Sequence, residues 1–373
     1  MIYRRKPRYG KIIKIIILIT LILFIYACYN VDYFKNNKYV IMVKSKIGDT
    51  ISTITNDEGL SALIEHYEPD DEDNTIYEIS DSQDRYFYDQ LDDISKILYA
   101  EILNNIDKIK NGEDYIKISS KLSTLSTNED MATALMNSFQ NAWDAFRNDN
   151  VDVFYIDGSK MCLVTKTIKR GNKVSYEFYI SKGNNSNYLI DGFNTPEEVD
   201  RAIEFVTKSE NEILSTVTEK NDYYKIVKIH NWIIDNVEYN LAESNNNSNI
   251  YGALKDKKVV CEGYARLFKS LMDKLEIPCV LVSGEGIDLD TGSRENHAWN
   301  YVYLKGNWYA IDSTWDDPVI IGTGSVSKDI RYKYFLRGSK NFNKSHISEG
   351  KLVENGIEFI YPEISVEDYV IEK

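Results

Sequence analysis

A hairpin in the C-terminal half constrains the fold of this 373-residue chain more than any other stretch. The segment "HAWNYVYLKGNWYAIDST" predicts two antiparallel strands joined by the loop Leu304 to Asn307, which sets Tyr303 opposite Trp308. Because side chains alternate along a strand, His297 and Asp312 share one face, one diagonal step (~7–8 Å) apart. Burying both is costly unless they pair, so the register predicts a His–Asp pair.

The segment "CEGYARLFKSLMDKLEIP" precedes this hairpin and has the apolar spacing of a helix that ends before Pro278. Cys261 is its first residue, where the helix dipole and unpaired N–H groups favour a thiolate and can hold an oxyanion. A single cysteine is more often a packing residue of the core than a catalytic residue. Together with His297 and Asp312 it supplies a nucleophile, a proton acceptor and an orienting carboxylate.

Three blocks of the sequence resemble the transglutaminase-like superfamily. The matching residues are Cys261, Gly263, Tyr264 and Ala265, then His297 to Asn300, then Asp312, Thr314 and Trp315. The resemblance covers about 205–350, from the helix "IVKIHNWIIDNVEYN" to a closing segment with "KYFLRGS" and His346. It implies an α+β fold with a papain-like core, in which a helix-borne catalytic Cys packs on an antiparallel sheet.

The resemblance also implies a reaction class, in which the thiolate attacks an amide carbonyl and leaves a thioester on Cys261. Acyl transfer to an amine is the first interpretation, and a cysteine protease or deamidase with the same triad is the alternative. A non-catalytic cell-surface binding protein stays open as a third. Tyr251 and Trp299 are candidate substrate or oxyanion residues, with packing as the other interpretation.

No cofactor or metal is predicted. The acidic stretch "EGIDLDTGSRE" lacks the spacing of a calcium loop and predicts a surface loop, and no CxxC pair suggests zinc. The four cysteines do not form a disulfide scaffold, and Cys162 and Cys279 are expected in strands of the core. His230, on a helix without an evident partner, is expected to be structural or at the surface rather than catalytic.

The first thirty residues hold six basic side chains and no acidic one, and their apolar run of 17 residues, from Ile12 to Cys28, includes one of the six, Lys14. This predicts an uncleaved membrane anchor, with a cleaved signal peptide and a lipid attached to Cys28 as alternatives. Each places the rest of the chain outside the cytoplasm. The expected partners are therefore protein or peptide substrates of the cell wall or cell surface.

The chain divides into an anchor (1–30), a stalk (31–84), an α+β accessory module (85–204), a catalytic domain (205–350) and a C-terminal extension (351–373). The net charge is −14 although the anchor is basic, so the rest of the chain is strongly acidic. An acidic domain repels phosphate backbones, which excludes nucleic acid as an expected partner.

Overall fold

The computed structural model describes residues 85–118, 122, 129–171, 173–241, 244–317, 328–352 and 356–371. The predicted anchor, stalk and Cys28 lie outside these residues. No helix in the described ranges combines the length and apolar character needed to cross a bilayer. The described chain is a mixed α/β structure.

The first part combines three helices with a small antiparallel sheet. The helices are α1 (Asp93–Asn104), α2 (Ile106–Lys110) and α3 (Glu129–Asp149). The strands β1 (Ile116–Lys117), β2 (Cys162–Arg170) and β3 (Lys173–Ser181) pair in the order β1-β3-β2. Helix α1 begins where the side chain of Asp92 accepts a hydrogen bond from the Ser95 N–H.

One prediction for this part is wrong, the burial of Cys162. The segment before it, residues 153–158, has a single bridge between Ile156 and Leu189, and Asp157 caps a short 3₁₀ turn by accepting from the Ser159 N–H. Cys162 does lie in a strand, but it is exposed rather than in the core. It is the first residue of β2, a strand with no fully buried position.

Four helices follow: α4 (Pro196–Ser215), α5 (Asp222–Asn236), α6 (Ile250–Lys255) and α7 (Cys261–Lys274). Helix α4 begins with a side-chain cap, since the Thr195 side chain accepts from the Glu198 N–H and Pro196 opens the helix. Helix α7 differs, because its N-cap is Val260, which has no side-chain acceptor. Its first N–H groups therefore receive no side-chain cap.

The second sheet has four antiparallel strands in the order β8-β7-β6-β9. They are β6 (Cys279–Ile287), β7 (Arg294–Leu304), β8 (Asn307–Ile311) and β9 (His346–Ser348). A short parallel pair, β4 (Glu238–Tyr239) and β5 (Lys258–Val259), leads into α7. Two further short helices, α8 (Lys328–Arg331) and α9 (Ser339–Phe342), lie between β8 and β9.

The predicted hairpin register is confirmed, with Tyr303 opposite Trp308. The turn is tighter than the predicted loop, because the strands continue to Leu304 and Asn307. Only Lys305 and Gly306 remain between them, with φ values of 52° and 89°. Two consecutive positive φ values are typical of a type I′ turn, whose twist matches that of the strands.

Helix α7 packs across the four-stranded sheet. Ala265 contacts Leu281 of β6 and Ala298 of β7, and Cys261 lies against this small cluster. The Asn300 side chain donates a 3.0 Å hydrogen bond to the Ala265 carbonyl, which fixes the helix on β7. The larger hydrophobic core runs from Phe87 to Ile364 and draws on both the predicted accessory module and the predicted catalytic domain. The boundary at residue 204 stays a prediction.

The close contact between α7 and β5 predicts that Gly263→Ala destabilises the fold. A Cβ at Gly263 would lie 2.5 Å from Val259 Cβ, which is too close for two carbon atoms. We expect the free energy of unfolding to fall by about 1–3 kcal/mol, the usual cost of overpacking. Urea titration measures this, with Glu204→Ala on the exposed side of α4 as the control. A Gly263→Ala protein as stable as wild type would contradict the prediction.

Candidate active site

Cys261 is the first residue of α7 and is partly exposed. The chain reaches it through β5, and the Val260 N–H donates a 2.8 Å hydrogen bond to the Asn247 carbonyl, which fixes the residue before the helix. The first N–H groups of the helix have no carbonyl partner within it. The thiol therefore lies where partial positive charge accumulates.

His297 lies on β7 and is 5% exposed. Its Nε2 is 2.8 Å from Oδ2 of Asp312, as the hairpin register predicted. The Cys261 side chain contacts its ring and contributes to its raised pKa. Because Asp312 occupies Nε2, Nδ1 is the nitrogen left for the thiol. The ring of Trp315 stacks on His297 with 4.8 Å between centroids and restricts its orientation.

Asp312 directly follows β8 and is fully buried. Its Oδ1 accepts hydrogen bonds from the backbone N–H groups of Thr314 (2.9 Å) and Trp315 (3.1 Å). Its Oδ2 is shared by Nε2 of His297 and, at 3.1 Å, Nε2 of His346. Four donors around one carboxylate compensate for the loss of its hydration.

The electrostatics of this cluster favour a charged pair. Burial disfavours protonation of His297, but the carboxylate of Asp312 and the contact with Cys261 outweigh it and raise the pKa of His297 to about 10. Burial would raise the pKa of Asp312, yet His297 and His346 hold that pKa well below its usual range. His297 is therefore a cation and Asp312 an anion at neutral pH.

The pKa of His297 predicts that its contribution to stability disappears on the alkaline side. An unfolded histidine titrates near 6.5, so the contribution is complete below about pH 6.5 and is lost as the pH rises through about 10. We expect the difference in unfolding free energy between wild type and His297→Gln to shrink by at least about 1 kcal/mol between pH 6 and pH 10. Urea titrations measure it, and an unchanged difference would contradict the assignment.

The structure does not bring Tyr251 into this cluster. Its ring stacks on Phe154 at 5.7 Å, and its hydroxyl accepts a 2.5 Å hydrogen bond from Lys255. Trp299 lies close to His297, 5.9 Å between ring centroids, but is 1% exposed and packs against Phe342. Tyr251 and Trp299 thus have the contacts expected of packing residues. Their predicted substrate or oxyanion roles stay predictions.

Two residues near the cluster of Cys261, His297 and Asp312 were not among the predicted site residues. Tyr239 on β4 is 39% exposed and lies opposite Val259. Burial raises the pKa of Tyr239, and the nearby charges of Cys261, Glu295 and Asp312 raise it further, which places its phenol beside the site. His346 appeared in the sequence only as the end of the family resemblance. No spacing rule connects either residue to Cys261.

His230 belongs to a second buried His–Asp pair rather than to the surface. Its Nε2 is 3.1 Å from Oδ2 of Asp316, and both side chains are fully buried. Oδ1 of Asp316 accepts a 2.8 Å hydrogen bond from the Tyr334 N–H. This pair connects α5 to the turn that follows Asp312, which is the structural role expected of His230.

Glu262 joins the accessory part of the chain to the start of α7. Its carboxylate binds Arg147 of α3 at 2.8 Å and Arg266 of α7 at 2.9 Å. A cavity of about 400 Å³ opens beside this network, with Trp143 and Phe154 in its wall. The lining includes Glu262 but none of Cys261, His297 and Asp312, so the cavity does not contain the thiol cluster.

One group of described side chains has donor atoms close enough for a metal ion. The donors of His297, Asp312 and His346 lie within 4.8 Å of one another. All three are buried and already joined by hydrogen bonds through Oδ2 of Asp312. Hydrogen bonding therefore accounts for the geometry of this group.

Residues 211–313 match the sequence profile of the Transglutaminase-like superfamily. The matched segment contains α7, β6, β7 and β8, and with them Cys261, His297 and Asp312. The family resemblance is thus confirmed for this part of the chain, which is transglutaminase-like.

Two curated relatives are similar to the chain over part of its length. Kyphoscoliosis peptidase of Mus musculus is 30% identical over 154 residues, and that of Homo sapiens is 28% identical over 155 residues. Each alignment covers 38% of this chain and 23% of the relative. The similarity therefore concerns less than a quarter of the relatives' own length.

Solved structures matched by part of the chain include a TGase, with a TM-score of 0.28 and 12% identity, covering 57% of this chain and 54% of that one. A putative cysteine protease from Cytophaga hutchinsonii has a TM-score of 0.26 and 18% identity, covering 43% of this chain and 68% of that one.

Proposed function

We propose that this protein is a thiol enzyme that attacks amide bonds of proteins or peptides through Cys261, His297 and Asp312. The observation that carries the proposal is the position of His297, which contacts the thiol at the start of α7 and the buried carboxylate of Asp312 at 2.8 Å. A buried cation between a thiol and a carboxylate stabilises the thiolate.

In the first half of the reaction, Sγ of Cys261 attacks the amide carbonyl carbon and a C–S bond forms. The carbonyl electrons move to oxygen, where the first N–H groups of α7 can stabilise the negative charge. The C–N bond then breaks, and His297 gives its proton to the departing amine. A thioester on Cys261 and a neutral His297 remain, and Asp312 keeps the ring oriented.

In the second half, His297 accepts a proton from the incoming nucleophile, which attacks the thioester and releases the thiolate. An amine gives acyl transfer, and water gives hydrolysis. The superfamily match supports either course, whereas the peptidase name of the curated relatives favours water. Hydrolysis of a backbone or side-chain amide is therefore the second candidate function.

We further propose that the enzyme is tethered to the membrane with its catalytic part outside the cytoplasm. This rests on the basic cluster and the apolar run that ends at Cys28. Cell-wall peptides and cell-surface proteins are then the accessible substrates. Protease added to intact cells tests it, because an external catalytic part should be digested as fully in intact cells as in lysed cells. Protection in intact cells that is lost on lysis would contradict external exposure.

The decisive experiment on the reaction uses mass spectrometry of the products. The full-length protein is incubated with peptides that carry glutamine and asparagine, with and without a labelled alkyl amine, and Cys261→Ser serves as the matched control. Amine-linked peptides identify acyl transfer, and deamidated or cleaved peptides identify hydrolysis. Product formation at the same rate in wild type and Cys261→Ser would contradict the proposal.

A further inference from the structure

A second histidine shares the carboxylate that orients His297. His346 is the first residue of β9, and its Nε2 lies 3.1 Å from Oδ2 of Asp312, the oxygen that also pairs with His297. Its side chain is fully buried. Its Nδ1 lies 2.9 Å from Oγ of Ser345, so both ring nitrogens have a partner.

We propose that His346 is a positioning residue of the thiol site, a neutral imidazole that donates its Nε2–H to Asp312 and holds that carboxylate for His297. The inference rests on the function proposed for Cys261, His297 and Asp312. His346 itself does not touch the reacting atoms. It acts through Asp312 and extends the predicted triad by one residue.

The surroundings of His346 explain why its ring is neutral. The titratable groups that face it are Asp312, His297 and Tyr334, at 5.7 Å between ring centroids for His297 and 5.2 Å for Tyr334. Its ring also packs against three aromatic side chains, Trp299, Trp315 and Phe342. A second cation here would be buried beside the imidazolium of His297 with only one carboxylate to compensate both.

The hydrogen-bond partners of His346 then determine which of its ring nitrogens carries the proton. Burial and the charge of His297 lower the pKa of His346, although Asp312 acts in the opposite direction. A neutral ring has one N–H, and the ionised carboxylate of Asp312 can only accept. The proton therefore lies on Nε2, and Nδ1 is left as an acceptor, 2.9 Å from Oγ of Ser345.

Four donors divided between the two oxygens explain what His346 contributes. The backbone N–H groups of Thr314 and Trp315 donate hydrogen bonds to Oδ1 of Asp312. Without His346, only His297 would donate to Oδ2. The second donor at Oδ2 keeps the carboxylate ionised and makes it a weaker base. The shared proton therefore stays on His297, which must deliver it to the departing amine.

The first test is nitrogen NMR of the histidine rings in the wild-type full-length protein. The chain has four histidines, and the His346→Gln spectrum identifies the signals of His346. We expect His346 to have a neutral ring with the proton on Nε2 at neutral pH, where His297 is charged. A charged His346, or a proton on Nδ1, would overturn the inference. This readout does not depend on any substrate.

The second test compares His346→Gln with His346→Leu by iodoacetamide alkylation of Cys261 across pH. Glutamine keeps an N–H donor near the position of Nε2, so its profile should stay within about threefold of wild type, whereas leucine removes the donor. In His346→Leu we expect the acid limb to move up by about one pH unit, because Asp312 is protonated more readily. Identical profiles for the two variants would overturn the positioning role. Ordinary thiol kinetics in the wild type would instead remove the proposed function itself.

Discussion

Replacing Cys261 by serine is expected to reduce amide turnover by at least about 10⁴-fold. The serine hydroxyl does not ionise beside His297 as a thiol does, so the nucleophile is lost although the shape of the first turn of α7 is retained. The partly exposed position of Cys261 at the start of α7 makes the exchange compatible with folding. Steady-state kinetics on a peptide that wild type converts measure the effect.

Cys162→Ser is the matched control for this prediction. Cys162 is a free and exposed thiol on β2. It is far from Cys261 in the sequence, and no contact with a histidine is among those of the described residues. We expect Cys162→Ser to keep full turnover. If Cys261→Ser retained more than about 1% of the wild-type rate, the nucleophile would have to be another group.

Asp312→Asn is expected to lower kcat by about 10³–10⁴-fold and to destabilise the fold by about 2–4 kcal/mol. The amide preserves the shape of the side chain, but it has one oxygen where four donors now converge. If its oxygen keeps the N–H groups of Thr314 and Trp315, its NH₂ group faces two histidine nitrogens. His297 then loses the charge that holds it as an imidazolium.

Asp290→Asn, the same change at an exposed position in the β6–β7 connection, controls for the loss of an acidic side chain. We expect it to leave both kcat and the free energy of unfolding unchanged. For Asp312→Asn, we expect kcat and the free energy of unfolding to fall together. A destabilised protein with normal kcat would assign Asp312 a structural role only.

The sequence predicted the part of the site that follows from strand and helix geometry. The alternation along β7 and β8 placed His297 and Asp312 on one face, and the structure gives this register and a 2.8 Å contact. The apolar stripe after Cys261 predicted α7 and its first residue. The hairpin register and the start of the helix are both determined by residues that are close together in the sequence.

The residues that sequence reasoning missed depend on contacts between distant segments. His346 reaches Asp312 because β9 pairs with the edge of β6, an arrangement that no local pattern in the sequence specifies. Tyr239 comes near the charges of the site because β4 pairs in parallel with β5, the strand that leads to Cys261. Cys162 was wrongly placed in the core because the strand pattern does not reveal that β2 has no fully buried position.

The charge on His297 depends on the groups around it. The buried carboxylate of Asp312 stabilises the imidazolium, and His346 and two backbone N–H groups donate hydrogen bonds to that carboxylate. The His297 ring also contacts the thiol of Cys261. The central claim is therefore that the reactivity of Cys261 depends on His297 and not on exposure alone.

Alkylation of Cys261 by iodoacetamide near pH 6, followed by peptide mass spectrometry, tests that claim most directly. Cys162, exposed, and Cys279, buried, serve as internal references in the same protein. We predict that Cys261 reacts at least about tenfold faster than Cys162, since ordinary thiols are protonated at this pH, and that His297→Ala abolishes the advantage. Equal rates for Cys261 and Cys162, or an advantage that survives in His297→Ala, would contradict it.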